Sequence, residues 1–232
     1  MKTYKHILFD LDHTLWDFHT NSLQTLEELY QEFELLQNGV PSSQQFIREY
    51  KKVNRHYWEL HRNGKVDKHI IRNHRFHDLL SRFGIYNNEL ALTLSDNYIS
   101  RCPTKTNLMP HAKSTLAYLH DHGYRLHIIT NGFHETQMTK LTSSGLIDYF
   151  DVITTSEDSG STKPDRAIFT HFLSRANASS DSCIMIGDNP EVDIKGARNA
   201  FIDQVFLNPE GIEHNKMVTY EINCLSEIKE ML

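Results

Sequence analysis

The stretch Ile7-Leu8-Phe9-Asp10-Leu11-Asp12-His13-Thr14 decides the fold of this chain and places two carboxylates one residue apart. Apolar residues followed by polar ones predict a short strand over residues 5–12. Residues two apart on a strand point to the same face, so Asp10 and Asp12 are expected to converge unless the chain turns between them. At ~4 Å and an effective dielectric of ~20, two such charges repel by roughly 4 kcal/mol. A cation, a positive side chain or a shared proton would offset the repulsion, and a solvated turn would also account for the pair.

The composition indicates a folded chain with a hydrophobic core and argues against nucleic-acid and membrane partners. The 232 residues are 39% hydrophobic, and the formal net charge is −6. Without a basic stripe the chain has little to neutralise a nucleic-acid polymer, so no such partner is expected. No apolar run reaches membrane-spanning length and the first residues do not resemble a signal peptide, so no membrane partner is expected. Three isolated cysteines fit a reducing, cytoplasmic setting.

The segment that follows the first strand carries only helical periodicity. Apolar residues recur every three or four positions in four successive stripes, which predicts four amphipathic helices. The stripes are Leu23 to Leu36, Phe46 to Leu60, Ile70 to Phe83 and Leu90 to Ile99. Residues 16–104 are therefore expected to form an all-helical cap domain, inserted after the first strand, that can cover a site at the end of that strand.

Beyond Pro103, short apolar runs alternate with helical stretches. The runs are residues 125–129, 152–153, 183–186 and 202–207. Strands that alternate with helices in this way predict an α/β fold with a doubly wound, Rossmann-like parallel sheet. We expect residues 1–15 and 105–232 to form this catalytic core, whose ligand crevice lies outside the carboxyl ends of the strands.

Polar side chains follow these strands where the crevice is expected. Each has a plain structural explanation when taken alone, such as an aspartate in a turn, a threonine that caps a helix or a solvated lysine at a helix start. Together they place an acid pair, a hydroxyl, an amide, a lysine and a further acid along one rim. They are Asp10, Asp12, Thr130, Asn131, Lys163 and Asp188. The set predicts a catalytic site at this rim.

Four segments, in this order, resemble the motifs of the haloacid dehalogenase-like hydrolase superfamily. They are Asp10–Thr14, Ile129–Gly132, Lys163-Pro164 and Gly187–Asp193. The resemblance covers nearly all of the predicted core, and the helical insertion matches the cap of that family. It implies a capped phosphatase that uses Mg²⁺. His13 stands where the family usually has glycine, and if that position needs a positive φ, histidine costs on the order of 1 kcal/mol.

Within this family the chain is most similar to nucleotidases that act on pyrimidine nucleoside monophosphates, including noncanonical ones. The similarity rests on Thr130–Phe133, Gly145-Leu146, Asp148–Asp151 and Ser156-Glu157. It implies a 5'-nucleotidase, a monomer or homodimer, whose partner is a small phosphorylated metabolite. The alternatives are a phosphatase or mutase of a sugar phosphate or of phosphoglycolate, a haloacid dehalogenase, and a non-enzymatic phosphoacceptor module. Asp12 argues against the dehalogenase, since such relatives lack an acid there.

The chemistry of phosphate monoesters gives the acids their roles. Their hydrolysis can require acceleration of up to ~10²¹-fold, mostly from positioning and charge compensation. Asp10 is expected to attack phosphorus and form an aspartyl phosphate. Asp12 is expected to protonate the leaving oxygen and then to activate water, with a pKa raised by nearby carboxylates. Asp10, Asp188 and the backbone oxygen of Asp12 offer oxygen ligands for Mg²⁺.

The remaining polar residues are expected to bind the phosphate or to support the metal ligands. Lys163 would offset the phosphate charge, and Thr130 and Asn131 would donate hydrogen bonds to it. Asp193 is expected to lie behind the metal ligands, although the helix dipole also favours an acid in a first helical turn. Thr14 is expected to cap the first helix of the insertion and to have no direct role.

Overall fold

The first strand of the computed structural model lies inside a parallel sheet that, over the described residues 3–215 and 217–232, has six strands in the order β3-β2-β1-β4-β5-β6. The strands are β1 (His6–Phe9), β2 (Arg125–Thr130), β3 (Phe150–Thr155), β4 (Cys183–Gly187), β5 (Asp203–Leu207) and β6 (Tyr220–Ile222). The doubly wound parallel sheet predicted from the sequence is confirmed. The strand order reverses between β1 and β4, and such a switch point is where open α/β sheets bind ligands.

The chain divides into two compact units. The first runs up to Phe18 and resumes at Thr106, and the second comprises His19–Lys105. Trp16, which the sequence analysis assigned to the insertion, belongs to the first unit. None of the helices in the described part of the chain is long and apolar enough to span a membrane.

The second unit is built from helices, as the four apolar stripes predict. The helices are α1 (Phe18–Glu32), α2 (Ser43–Arg62), α3 (Lys68–Ser81) and α4 (Asn88–Arg101). Side chains of Ser42, Asp67 and Asn87 cap the last three by accepting hydrogen bonds from backbone N–H groups of the first turn. The centre of this unit is aromatic, because the rings of Tyr50 and Tyr98 lie 5.1 Å apart and both are buried.

Helices of the first unit cover the sheet and carry its connections. They are α5 (Ala112–Asp121), α6 (His134–Ser143), α7 (Ser156–Ser159), α8 (Arg166–Ala176), α9 (Lys195–Asn199) and α10 (Ile228–Met231). A π-helical turn, Pro190–Ile194, precedes α9. One apolar cluster joins α8 to the sheet, with Leu8, Ile129 and Phe169 completely buried. This packing supports the loops at the carboxyl ends of β1, β2 and β4.

One local prediction differs from the structure and one element was not predicted. Proline suits the first turn of a helix, so the sequence predicts a helix that begins at Lys163-Pro164. Lys163-Pro164 does not open a helix: α8 begins at Arg166, and the Asp165 side chain caps it by accepting from the Ala167 N–H group. The short strand β6 was not predicted, because two of its three residues are exposed and the segment has no apolar run.

Candidate active site

Asp10 directly follows β1 and is fixed to the neighbouring strand. Its backbone N–H group donates to the Ile186 carbonyl of β4 at 2.9 Å, and the residue is 8% exposed. The chain then turns, since Leu15 and Trp16 both donate backbone hydrogen bonds to the Leu11 carbonyl. Asp12 lies in this turn, beyond the end of β1 at Phe9, so strand alternation does not set the relative directions of the two carboxylates, and their convergence stays a prediction.

His13 lies in this turn with a φ of 68°. The left-handed region is costly for a residue with a Cβ, which explains why glycine suits the position. The ring of His13 lies 5.2 Å from that of Phe18, a contact that glycine could not make. Histidine at this position therefore adds backbone strain to the loop and gains an aromatic contact.

Lys163 is the buried cation of the site. It is 1% exposed, and its Nζ donates to Asp10 Oδ1 at 2.5 Å and to the Ile129 carbonyl at 2.7 Å. The same Nζ lies 2.6 Å from Asp193 Oδ1. Burial alone would lower the pKa of Lys163, but the two carboxylates hold that pKa above its usual value. Lys163 therefore remains charged and links the end of β1 to the loop after β4.

The side chain of Asn131 holds the Lys163 segment. Its Nδ2 donates to the Lys163 carbonyl at 2.9 Å, and its Oδ1 accepts from the Lys163 N–H group at 2.7 Å. Its expected role as a phosphate donor stays a prediction, because this pair of contacts shows a different task. Thr130, at the end of β2, accepts from the Gly132 N–H group through Oγ1 at 3.1 Å, which leaves its hydroxyl proton for a ligand.

Three carboxylates gather at the switch point of the sheet. Among the described residues, oxygens of Asp10, Asp188 and Asp193 lie within 4.8 Å of one another. Burial raises the pKa of Asp10 to about 7, with Asp193 adding to the rise and Lys163 opposing it. Burial, Asp193 and Asp10 raise the pKa of Asp188 to about 8. The cluster is therefore short of positive charge, and its all-oxygen donor set fits Mg²⁺.

Hydrogen bonds and one close backbone approach hold this acidic cluster in place. Thr14 Oγ1 donates to Asp188 Oδ1 at 3.3 Å, so Thr14 orients a candidate metal ligand, a role that the sequence analysis missed. Asp193 is 1% exposed, and its Oδ2 accepts from the Asn189 N–H group at 3.0 Å. A Cβ at Gly187 would lie 2.5 Å from the Cβ of Asp193, so only glycine allows this approach.

The carboxylate of Asp12 has different partners. Lys140 Nζ donates to its Oδ1 at 2.6 Å and to its Oδ2 at 2.8 Å, and Gln137 Nε2 donates to Oδ2 at 3.1 Å. Burial alone would raise the pKa of Asp12. The positive charge of Lys140 and the hydrogen bonds from Lys140 and Gln137 outweigh burial, so the pKa of Asp12 lies below its usual value. The prediction of a raised pKa was wrong, because a neighbouring lysine dominates over the nearby carboxylates. Ligation by the Asp12 backbone oxygen stays a prediction.

Lys140 and Gln137 are functional candidates that the sequence analysis missed. They lie on α6, three residues apart and therefore on one helix face. Lys140 is 4% exposed, and its Nζ lies 4.5 Å from the centre of the Trp16 ring and 5.6 Å from that of Phe18. A lysine and a glutamine in a polar helix give no sequence signal by themselves. Only the packing of α6 against the turn after β1 reveals their partner.

The sequence is similar to those of known hydrolases. A family model described as haloacid dehalogenase-like hydrolase matches residues 4–200. The chain is 32% identical over 233 residues to the pyrimidine 5'-nucleotidase PynA of Streptococcus pneumoniae, which covers 99% of this chain and 95% of PynA. It is 29% identical to the pyrimidine 5'-nucleotidase YjjG of Escherichia coli, over 97% of this chain and 96% of YjjG.

The fold is also close to that of a solved structure. The HAD-hydrolase YfnB of Bacillus subtilis, crystallised with bound magnesium, superposes with a TM-score of 0.88 at 30% sequence identity. The match covers 99% of each chain. The likeness therefore extends over the sheet and over the helical insertion alike.

Proposed function

Because the chain belongs to the haloacid dehalogenase-like hydrolase family, we propose that it is a Mg²⁺-dependent phosphomonoesterase that forms an aspartyl phosphate on Asp10. One observation carries the proposal: Asp10 is buried at the switch point of the sheet, with one oxygen held by Lys163 and two further carboxylates beside it. Phosphoryl transfer requires a nucleophile, a fixed positive charge and carboxylates that can bind a metal ion, all in one place.

In the first half of the reaction, a carboxylate oxygen of Asp10 attacks phosphorus. Oδ1 accepts from Lys163, so Oδ2 is the oxygen available for attack. The new bond joins Asp10 to phosphorus, the ester bond breaks, and the leaving oxygen takes a proton from Asp12. Mg²⁺ held by Asp10 and Asp188 would supply the charge compensation that brings phosphate and carboxylate together. Lys163, held against Asp10, would offset the phosphate charge, and the Thr130 hydroxyl would donate to a phosphate oxygen.

In the second half, water attacks phosphorus and gives its proton to Asp12 while the bond to Asp10 breaks. The lowered pKa of Asp12 fits this step directly, because its carboxylate is the form that accepts a proton. The same lowered pKa makes protonation of the leaving oxygen the more demanding task for Asp12. Esters with basic, alkyl-type leaving groups are therefore expected to react more slowly than aryl phosphates.

We propose pyrimidine nucleoside 5'-monophosphates as the substrate class. Two pyrimidine 5'-nucleotidases resemble this chain over nearly its full length, at 32% and 29% identity. The motif side chains Asp10, Thr130 and Lys163 have chemistry suited to the phosphate alone, so the rest of the substrate must be selected elsewhere. We propose that the helical insertion provides that selection, since aromatic side chains can stack on a base for about 1–3 kcal/mol.

The test is a comparison of kcat/KM, in the presence of Mg²⁺, across pyrimidine and purine nucleoside monophosphates, hexose phosphates and phosphoglycolate. The proposal predicts the highest values for pyrimidine nucleotides, with modified bases accepted. Sugar phosphates that exceed every nucleotide by about tenfold would contradict the substrate class and leave the phosphatase mechanism intact. No release of phosphate from any ester would contradict both.

A further inference from the structure

The contacts of Asp12 extend the mechanism to two residues of α6. We infer that Lys140 and Gln137 are positioning residues: together they hold the Asp12 carboxylate in one orientation, and the rates of both proton transfers depend on that orientation. The inference rests on the proposed function, because it assumes that Asp12 gives and accepts the protons of the reaction.

Lys140 and Gln137 together contact both carboxylate oxygens of Asp12. Lys140 reaches both oxygens of Asp12, at 2.6 and 2.8 Å, and Gln137 adds a third hydrogen bond at 3.1 Å. Among the described residues, the carboxylate of Asp12 is the only one within salt-bridge distance of Lys140. Both of the α6 side chains are buried. Three hydrogen bonds from two buried side chains restrict the rotation of one carboxylate far more than a single surface ion pair does.

The aromatic ring of Trp16 also holds Lys140 in place. Its ammonium lies 4.5 Å from the centre of the Trp16 ring, and Trp16 is completely buried. The backbone N–H group of Trp16 donates to Leu11 at 2.8 Å, and the N–H group of His13 donates to the Trp16 carbonyl at 2.9 Å. The loop that carries Asp12 thus also carries the aromatic face that binds the cation.

The absence of a side chain at Gly132 leaves space for Gln137. A Cβ built on Gly132 would lie 1.5 Å from Gln137 Nε2, so any other residue at this position would displace the amide. The glycine between β2 and α6 therefore allows the amide to reach Asp12. The segment that places Thr130 beside the candidate phosphate site also directs α6 towards the second aspartate.

A purely structural role is a weak explanation of this arrangement. A buried ion pair is often no more stabilising than apolar residues of similar volume. A carboxylate that exchanges protons with a substrate, in contrast, must keep its geometry within about 0.5 Å. The interactions of Lys140 and Gln137 converge on the one side chain to which the proposed mechanism assigns the proton transfers.

The test compares Lys140→Met with the wild type on an alkyl and an aryl phosphate. Protonation of the leaving oxygen matters most for the alkyl ester, so kcat should fall at least about tenfold for that ester and less for the aryl ester. KM should stay nearly unchanged for both. Gln137→Ala, which keeps the ion pair, should act in the same direction with a smaller loss. Lys113→Met, at an exposed lysine of α5, is the matched control and should match the wild type.

The decisive step places Lys140→Met in an Asp12→Ala background. If Lys140 acts through Asp12, the second substitution should change kcat for the aryl ester by less than about twofold. A loss as large as in the wild-type background, or unchanged kcat for the alkyl ester in both α6 variants, would overturn the inference. The proposed function fails separately: wild-type activity of Asp12→Ala alone would overturn the role of Asp12 and the inference with it.

Discussion

Asp10 and Asp12 are one residue apart and each is bound by a buried lysine, yet their pKa values shift in opposite directions. The pKa of Asp10 is raised to about 7, whereas that of Asp12 lies below its usual value. Lys163 divides its charge between Asp10 and Asp193, with Asp188 close by. Within the described part of the chain, Asp12 is the only carboxylate that Lys140 contacts, and Gln137 adds a further hydrogen bond to it. Burial raises the pKa of both acids, so their opposite net shifts reflect how many carboxylates share each cation.

The largest expected effect comes from substitution of Asp10, which shares its lysine with a second carboxylate. Asp10→Asn should lower kcat at least about 10³-fold, because an amide is a poor nucleophile and offers a metal no negative charge. Release of inorganic phosphate from an aryl phosphate measures the loss. Asp121→Asn, at an exposed position of α5, is the control. Activity of Asp10→Asn within about tenfold of wild type would rule out Asp10 as the nucleophile.

The second prediction concerns the cation that the Asp10 cluster is short of. EDTA should abolish turnover and Mg²⁺ should restore it. Since Asp10 and Asp188 have pKa values of about 7 and about 8, protons compete with the metal as pH falls through these values. The dissociation constant for Mg²⁺ should rise at least about tenfold between pH 8.5 and pH 6. Equal affinities for Mg²⁺ at both pH values, measured by calorimetry, would contradict competition between protons and the metal at Asp10 and Asp188.

The two lysines should differ in their contribution to stability. Lys163→Met leaves three close carboxylates without their buried cation and should lower the free energy of unfolding by about 3–5 kcal/mol at neutral pH. Lys140→Met should cost only about 1 kcal/mol, because the side chain of Asp12 is 26% exposed and water screens the pair. Urea denaturation of both variants gives the comparison. A larger cost for Lys140→Met would reverse the proposed ranking of the two sites.

The smallest effect is expected in the turn that separates the two aspartates. His13→Gly removes the strain of a φ of 68° and loses the contact with Phe18. It also adds freedom to the unfolded chain, so the net gain in stability should not exceed about 1 kcal/mol. Turnover should not change, since no catalytic group is altered. A fall in kcat would show that the histidine has a role in the reaction.

The comparison also shows what the sequence could predict. The parallel sheet, the helical insertion and the family were predicted correctly, because apolar periodicity and four ordered motifs are local in sequence. The proximity of Asp10, Lys163 and Asp188 followed from one rule, that polar residues at the carboxyl ends of parallel strands meet at one rim. The structure places Asp188 within reach of Asp10 and Lys163 in contact with it.

The environment of Asp12 could not be predicted in the same way. Its partner Lys140 lies on a different element, and its approach depends on how α6 packs against the turn after β1. The spacing of Asp12 from Asp10 suggested a shared field of negative charge, whereas the fold supplies a separate cation. Thr14 was likewise missed as a partner of Asp188, because a threonine after a strand is also a common helix cap.

The account depends most on a covalent intermediate at Asp10, and acid-quenched mass spectrometry can detect it. Asp12→Ala should slow the attack of water more than the attack of Asp10 on an aryl phosphate, so the phosphorylated enzyme should accumulate. The account predicts a mass increase of one phosphoryl group on the peptide that contains Asp10, and none in the Asp10→Asn, Asp12→Ala double variant. Steady release of phosphate without a phosphorylated peptide, or phosphate on another residue, would contradict it.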